Sequence, residues 1–359
     1  LIIFNLYFIS VGIIKKNSLF LVIFLSFNIS LLNLIKFPQS DLINYIARYM
    51  ENGELPFGQL ILIVKSDFVF HYINKLIYIV TDGSVTIFIF FWSFIIYFLI
   101  SLSISKLLLH NKIDKTSFVF ALIFLFYTTS FLSISAHLIR QTVAGSIFVY
   151  FLTELYCGNK KFYLLPFMVF THFSSIILLI PLVIKNKYFY IFLTLLTLYI
   201  VVTQQNIFSL IFKTIPVFNN DYISFLFSHI NGAINRNNDD GDVSKLLYFI
   251  SISLLIFSFF KLFKKKEYEF YISFLLVNLF SPIQLLWLRY SFYQHPFYFI
   301  IFPLLFTYFV EKSKLIILIY WIFSFLYFIK FYIYFSTNNW SNSYYLTNET
   351  MMSLHEYLK

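Results

Sequence analysis

The chain has 359 residues, 60% of them hydrophobic and only 12% charged, with a formal net charge of +10. A soluble domain carries about 25% charged residues, so a soluble globular fold is excluded. The only cysteine, Cys157, excludes an internal disulfide and any cysteine-rich metal site.

Apolar runs of roughly 16–22 residues recur from end to end, each long enough to cross a hydrocarbon core of about 30 Å. They predict an all-α, polytopic integral membrane protein with about 10–12 transmembrane helices in a single membrane domain over 1–359. Spans fall near 1–14, 18–35, 84–105, 116–134, 138–156, 188–203, 243–263, 268–287, 293–310 and 314–335. The first run leads directly into the second, so no cleavable signal is expected ahead of a soluble domain. It is short for a crossing, so either a few residues are expected ahead of Leu1 or Leu1 marks an alternative start codon.

The short connections are rich in lysine: Lys15 and Lys16, 106–115, Lys160 and Lys161, Lys185 and Lys187, 261–266, and Lys312 with Lys314. The positive-inside rule places these in the cytoplasm, which puts the loops 36–83 and 204–242 and the tail 336–359 outside. Segment 162–184 resists simple alternation. Read as a re-entrant hairpin broken at 171–175, where polar residues interrupt the apolar run, it keeps every basic loop inside. A single crossing, corrected by a second hairpin near 206–218, is the rival. On the hairpin topology the inner basic residues are lysines. All the arginines (Arg48, Arg140, Arg236, Arg289) fall outside or at the outer boundary, where their planar forks suit phosphate.

Within the first outer loop, 59–80 is apolar but interrupted by Lys65, Asp67, His71 and Lys75. It reads as one amphipathic helix lying at the outer surface. The run 237–242, NNDDGD, is a solvated turn that lacks the spacing and final glutamate of a calcium loop.

Arg140 opens a helix after a short polar outer turn. It is either an anion clamp aided by the helix dipole or a side chain snorkelling to headgroups. His172 sits mid-run with Ser175 three residues on. It is a packing residue or a general base, since imidazole titrates nearest neutral pH. Asp41 and Tyr45 lie one helical turn apart and either bind a sugar and activate a hydroxyl or cap an interfacial helix. Arg289 and Tyr290 occupy a short outer turn, LRYSFYQHPF, and with Tyr293 and His295 could converge on Arg140 or serve as interfacial anchors. Glu154 is expected to pair with Lys160 or Lys161, and Lys245 and Lys330 to snorkel. There is no Walker A, G-x-G-x-x-G or H-E-x-x-H motif, so no nucleotide, metal or other cofactor is expected. Basic loops interleaved with spans make no nucleic-acid surface.

The segment 137–184, with Arg140, Gln141 and Ala144 followed by Phe170, His172, Phe173, Ser174 and Ser175, resembles the EpsG-type branch of the Wzy-like bacterial polysaccharide polymerases. Thr171 stands where that family often has Phe. Asp41 with Tyr45, the stretch FHYINKLIYIV, and Arg289 with Tyr290 resemble further motifs, so the likeness covers about 36–310. The resemblance implies a multi-pass protein of the bacterial cytoplasmic membrane that acts in O-antigen, capsule or exopolysaccharide synthesis. Its substrate would be oligosaccharide repeat units on undecaprenyl diphosphate, joined at the outer face. Its partners would be the bilayer and a chain-length regulator and flippase of the same pathway. The resemblance places Arg140 and Arg289 on the diphosphate. His172 or Asp41 becomes the base, and Tyr45, Gln141, Ser175 and Tyr293 line the glycan. The alternatives are a lipid-linked oligosaccharide flippase or other transporter, and a membrane acyltransferase acting on polysaccharide; the product separates them.

Overall fold

The computed structural model describes residues 18–34, 41–64, 66–184 and 284–310, with isolated positions in 186–195 and 313–329. All secondary structure in these residues is helical. In chain order the helices are α1 (Ser18–Leu34), α2 (Asp41–Glu54), α3 (Phe57–Ile63), α4 (Phe68–Thr81), α5 (Val85–Leu109), α6 (Lys115–Tyr127) and α7 (Thr129–His137). There follow α8 (Ile139–Tyr156), α9 (Leu164–Thr171), a 3₁₀ helix (Phe173–Leu179), α10 (Ile180–Val183) and α11 (Gln284–Val310). Backbone packing divides the chain into two compact units, Leu1–Ser175 with Pro296–Lys359, and Ile176–His295.

In the first unit α5 is the hub and packs against both α1 and α8. Ser84 caps its start by accepting from the Ile87 amide, and the helix then runs 25 residues, roughly 37 Å at the α-helical rise. Among the described residues it alone is long and apolar enough to cross a membrane; α1, α4 and α6 are apolar but shorter. Helices α1, α5 and α8 lie where spans were expected at 18–35, 84–105 and 138–156, and of these α5 has the length and apolarity of a crossing. Those expected at 1–14, 188–203, 243–263 and 314–335, most of 268–287, the loop 204–242 and the tail 336–359 lie outside the described residues.

Helix polarity is inverted relative to a water-soluble bundle. On α1, Leu19, Phe20, Ile23 and Phe27 are exposed, whereas Ser26, Ser30 and Asn33 are buried. The Asn33 amide donates to the hydroxyls of Ser93 at 2.9 Å and Ser135 at 3.4 Å, tying α1 to α5 and α7. The hydroxyls of Ser26 and Ser30 donate to the carbonyls of Val22 and Ser26, so these buried polar groups of α1 have internal partners, as burial requires.

Three expectations are corrected. The span read at 116–134 is two helices, because Thr128 is extended and its hydroxyl turns back to the Phe124 carbonyl. The stretch 59–80 is not one surface helix: α3 ends at Ile63 and α4 begins at Phe68, with Asp67 between them in the left-handed region (φ 58°, ψ 36°). The supposed turn LRYSFYQHPF is helical, part of α11. It holds no Gly, Asn or Asp to form a turn, and the interior Pro296 is offset by burial of Phe297 and Phe299 against Phe148, Phe124 and Phe131.

At the other end of α8, Glu154 is fully buried and accepts from Lys161 and Lys106, both at 2.9 Å, and from Asn159 at 2.8 Å. Lys161 was anticipated; Lys106, reaching across from α5, was not. The bond to Glu154 raises the Lys161 pKa and outweighs the opposing effect of burial.

Candidate functional site

Asp67 is the centre of the site. Short polar side chains tolerate left-handed backbone, which is why an aspartate can sit at this sharp entry into α4. Its carboxylate does not cap its own helix. It turns inward, only 4% exposed, and its Oδ2 accepts from Arg140 Nη1 at 2.6 Å and lies 3.3 Å from His172 Nδ1. Oδ1 accepts the Phe173 amide at 2.7 Å.

Each partner is delivered by a helix end. Arg140 is the second residue of α8, which begins after Leu138 breaks the run. His172 ends α9: its backbone is extended (φ −153°, ψ 109°), so the predicted interruption at 171–175 does occur there. That break also frees the next amide, Phe173, to reach Asp67. Helix α9 packs against both α8 and α4, with Phe68 edge-on to Phe170 at 6.4 Å, and so brings the three ends together.

Tyr45 of α2 completes the wall. It is buried, and its ring lies 5.1 Å from the Arg140 guanidinium carbon, within cation–π range. Burial raises the Tyr45 hydroxyl pKa, although Arg140 pulls the other way, so the phenol stays protonated. Burial would raise Asp67 as well. The hydrogen bond and charge of His172, then Arg140 and the Phe173 amide, outweigh it and hold the carboxyl below its ordinary range. Arg140 Nε is buried and has no hydrogen-bond partner, an orphan donor beside an otherwise satisfied carboxylate.

Of the residues singled out in the sequence, Arg140, His172 and Tyr45 are brought together. Asp41 begins α2 and acts on Tyr45 and Arg140 through its charge. Gln141 is buried in α8, and Ser175 is fully buried with its hydroxyl donating to the Met168 carbonyl at 3.3 Å. Tyr293 is fully buried on α11 one turn beyond Arg289, whose side chain lies outside the described residues. Among the described residues no group of His, Cys, Asp and Glu has the arrangement of a metal site.

Asp67 and His71 were read only as interruptions of an apolar run. With Lys75 they form a stripe at i, i+4 and i+8, one face of a helix, and the structure turns that face inward. Lys75 is buried and donates to the Gly53 carbonyl, and His71 Nδ1 lies 3.3 Å from the Asn52 amide nitrogen. Leu76, Ile79 and Val80 form the exposed side. The sequence signal was present: an ionisable residue in an apolar segment, which points to function more often than to a wet surface.

No curated protein and no solved structure matches the chain. Residues 16–346 match the EpsG family, nearly the whole length of the sequence. On that match the chain belongs to the EpsG family, whose members are of polysaccharide-polymerase type.

Proposed function

We propose that this protein is a multi-pass enzyme of the bacterial cytoplasmic membrane. It joins oligosaccharide repeat units carried on undecaprenyl diphosphate at the outer face, releasing the lipid diphosphate. The observation that carries the reading is the shared carboxylate of Asp67, which fixes a cation and an imidazole side by side while Arg140 Nε lacks a partner. The inverted polarity of α1 and α4, with apolar side chains outward and polar ones inward, supports a lipid surround, where unpaired polar groups are most costly.

In the reaction, an acceptor sugar hydroxyl attacks the anomeric carbon of the growing chain. The new glycosidic bond forms as the bond to the diphosphate oxygen breaks, and that oxygen leaves with the electron pair. Diphosphate needs no strong acid, but it does need its developing charge stabilised. Arg140 supplies this, its fork oriented by Asp67 and Tyr45 so that Nε meets a phosphate oxygen. Arg289 is the proposed second cation, on the strength of its Arg-aromatic motif. The hydroxyl proton passes to His172 at Nε2, since Nδ1 faces Asp67, whose charge then stabilises the imidazolium. Asp67 thus takes the orienting role, leaving Asp41 as a glycan ligand alongside Tyr45.

Reconstituted protein supplied with its lipid-linked repeat unit tests this. Longer lipid-linked glycans and free undecaprenyl diphosphate are expected from the wild type, and a loss of roughly 10²–10⁴-fold from His172→Gln. Normal product from His172→Gln would remove the base assignment. Translocated but unpolymerised units, or acylated glycan, would point to the flippase or the acyltransferase.

A further inference from the structure

We propose that His71 is a further substrate-binding residue, donating through Nε2–H to an oxygen of the lipid-linked diphosphate beside Arg140. The inference rests on the reading of Arg140 as the diphosphate clamp.

The geometry begins one turn into α4, where the His71 amide bonds the Asp67 carbonyl at 3.2 Å. This places the imidazole on the inward stripe next to the Asp67–Arg140 pair. The other members of the stripe are satisfied within the protein: Asp67 holds three donors, and Lys75 donates to Gly53. His71 uses only Nδ1, toward Asn52 at 3.3 Å, and packs edge-on against Phe70 with centroids 5.7 Å apart. With the Asn52 amide N–H donating to Nδ1, the ring proton resides on Nε2. Among the described contacts Nε2 has no partner, and the side chain is partly exposed, within reach of a ligand.

The charges around the ring favour a neutral donor facing an anion. Burial, then the positive charge of Arg140, and more weakly Arg48, oppose a second cation here; Asp67 alone favours one. Together they bring the His71 pKa down to about 4, so the ring is uncharged near neutral pH. A neutral N–H next to a guanidinium complements a diphosphate, which offers more oxygens than one arginine fork can bind.

Two amide substitutions separate this role from a structural one. Glutamine carries its N–H near the position of Nε2, whereas asparagine reaches only as far as Nδ1 and so preserves the Asn52 contact alone. The measurement is the affinity of full-length protein in lipid nanodiscs for undecaprenyl diphosphate, followed by intrinsic tryptophan fluorescence. His71→Gln is expected to bind within about threefold of wild type, and His71→Asn to weaken by about tenfold or more, the usual worth of a hydrogen bond to a charged group. The reverse order, or equal binding by His71→Asn and wild type while Arg140→Ala loses affinity, would overturn the His71 role and leave the clamp standing. Wild-type affinity in Arg140→Ala would remove the clamp, and this inference with it.

Discussion

Arg140 and Asp67 meet at 2.6 Å across 73 residues of sequence, the guanidinium held at the mouth of α8 by a carboxylate from the far side of α5 in the chain. A lone cation at this position could drift to the headgroups. Paired, stacked on Tyr45 and only 20% exposed, it has a fixed direction. Catalytic cations act through such preorganisation, since a charge already in place needs no rearrangement when the leaving group departs.

Arg140→Lys keeps the charge but loses the fork that serves Asp67 and a phosphate oxygen together. Polymer should fall strongly, by about tenfold or more, and Arg140→Ala should be worse. Single repeat units on lipid carrier should accumulate in both. Polysaccharide gels with immunoblotting for equal protein levels provide the check, and a wild-type ladder from Arg140→Lys would make Arg140 a snorkelling residue.

Asp67→Asn preserves size and tolerance of left-handed backbone, and its amide oxygen can still accept from Phe173. What it removes is the charge that orients Arg140 and balances protonated His172. Activity should drop by roughly 10²-fold or more with little change in membrane level. Asp67→Ala should also lose stability, by about 3–5 kcal/mol, because a half-buried guanidinium is left unpaired. Turnover per molecule, set against thermal unfolding in detergent, separates the two effects.

Acidification should destabilise the protein in two stages. His71 is lowered from its ordinary 6.5 to about 4 by burial and the positive charge of Arg140, so the unfolded chain takes up a proton first as pH falls. Its contribution is complete above about pH 6.5 and declines toward pH 4, amounting to about 2 kcal/mol between pH 6.5 and 5. Asp67 is depressed instead, so its contribution persists until pH falls below the ordinary carboxylate value near 3.8. Melting temperatures at pH 7 and 5 should therefore differ less for His71→Gln than for wild type. An identical drop in both would refute the neutral imidazole.

Gly53 sits at the end of α2, where an added Cβ would land inside the Tyr78 ring. The Tyr78 ring also stacks edge-on to Tyr49 at 5.6 Å, so it has little room to yield. Gly53→Ala should separate α2 from α4, displacing Tyr45 and Asp67 together, with a stability loss of about 1–3 kcal/mol. Thermal unfolding measures it.

Helix composition made much of this architecture legible. The long apolar runs at 18–34 and 85–109 could be little else, and Arg140 and His172 stood out because ionisable groups rarely occupy apolar helices without a task. Asp67 was visible but misassigned. Asp67, His71 and Lys75 at four-residue spacing are as consistent with a wet face as with a buried one, and periodicity does not say which side faces water. Only the partners, Arg140 and His172 from distant sequence together with Asn52 and Gly53 from α2, decide it. The break at Thr128 was hidden for another reason: a hydroxyl returning to the Phe124 carbonyl is a local event inside an otherwise unbroken apolar run.

The extended backbone at His172 has a further consequence for how such a centre can be mapped. It hands Asp67 a ligand that belongs to no side chain, the amide of Phe173. An alanine at position 173 would leave that amide in place, so conventional scanning mutagenesis would report a silent position. Only a change to the main chain itself, a proline or an ester linkage there, would show that the peptide bond is part of the machinery.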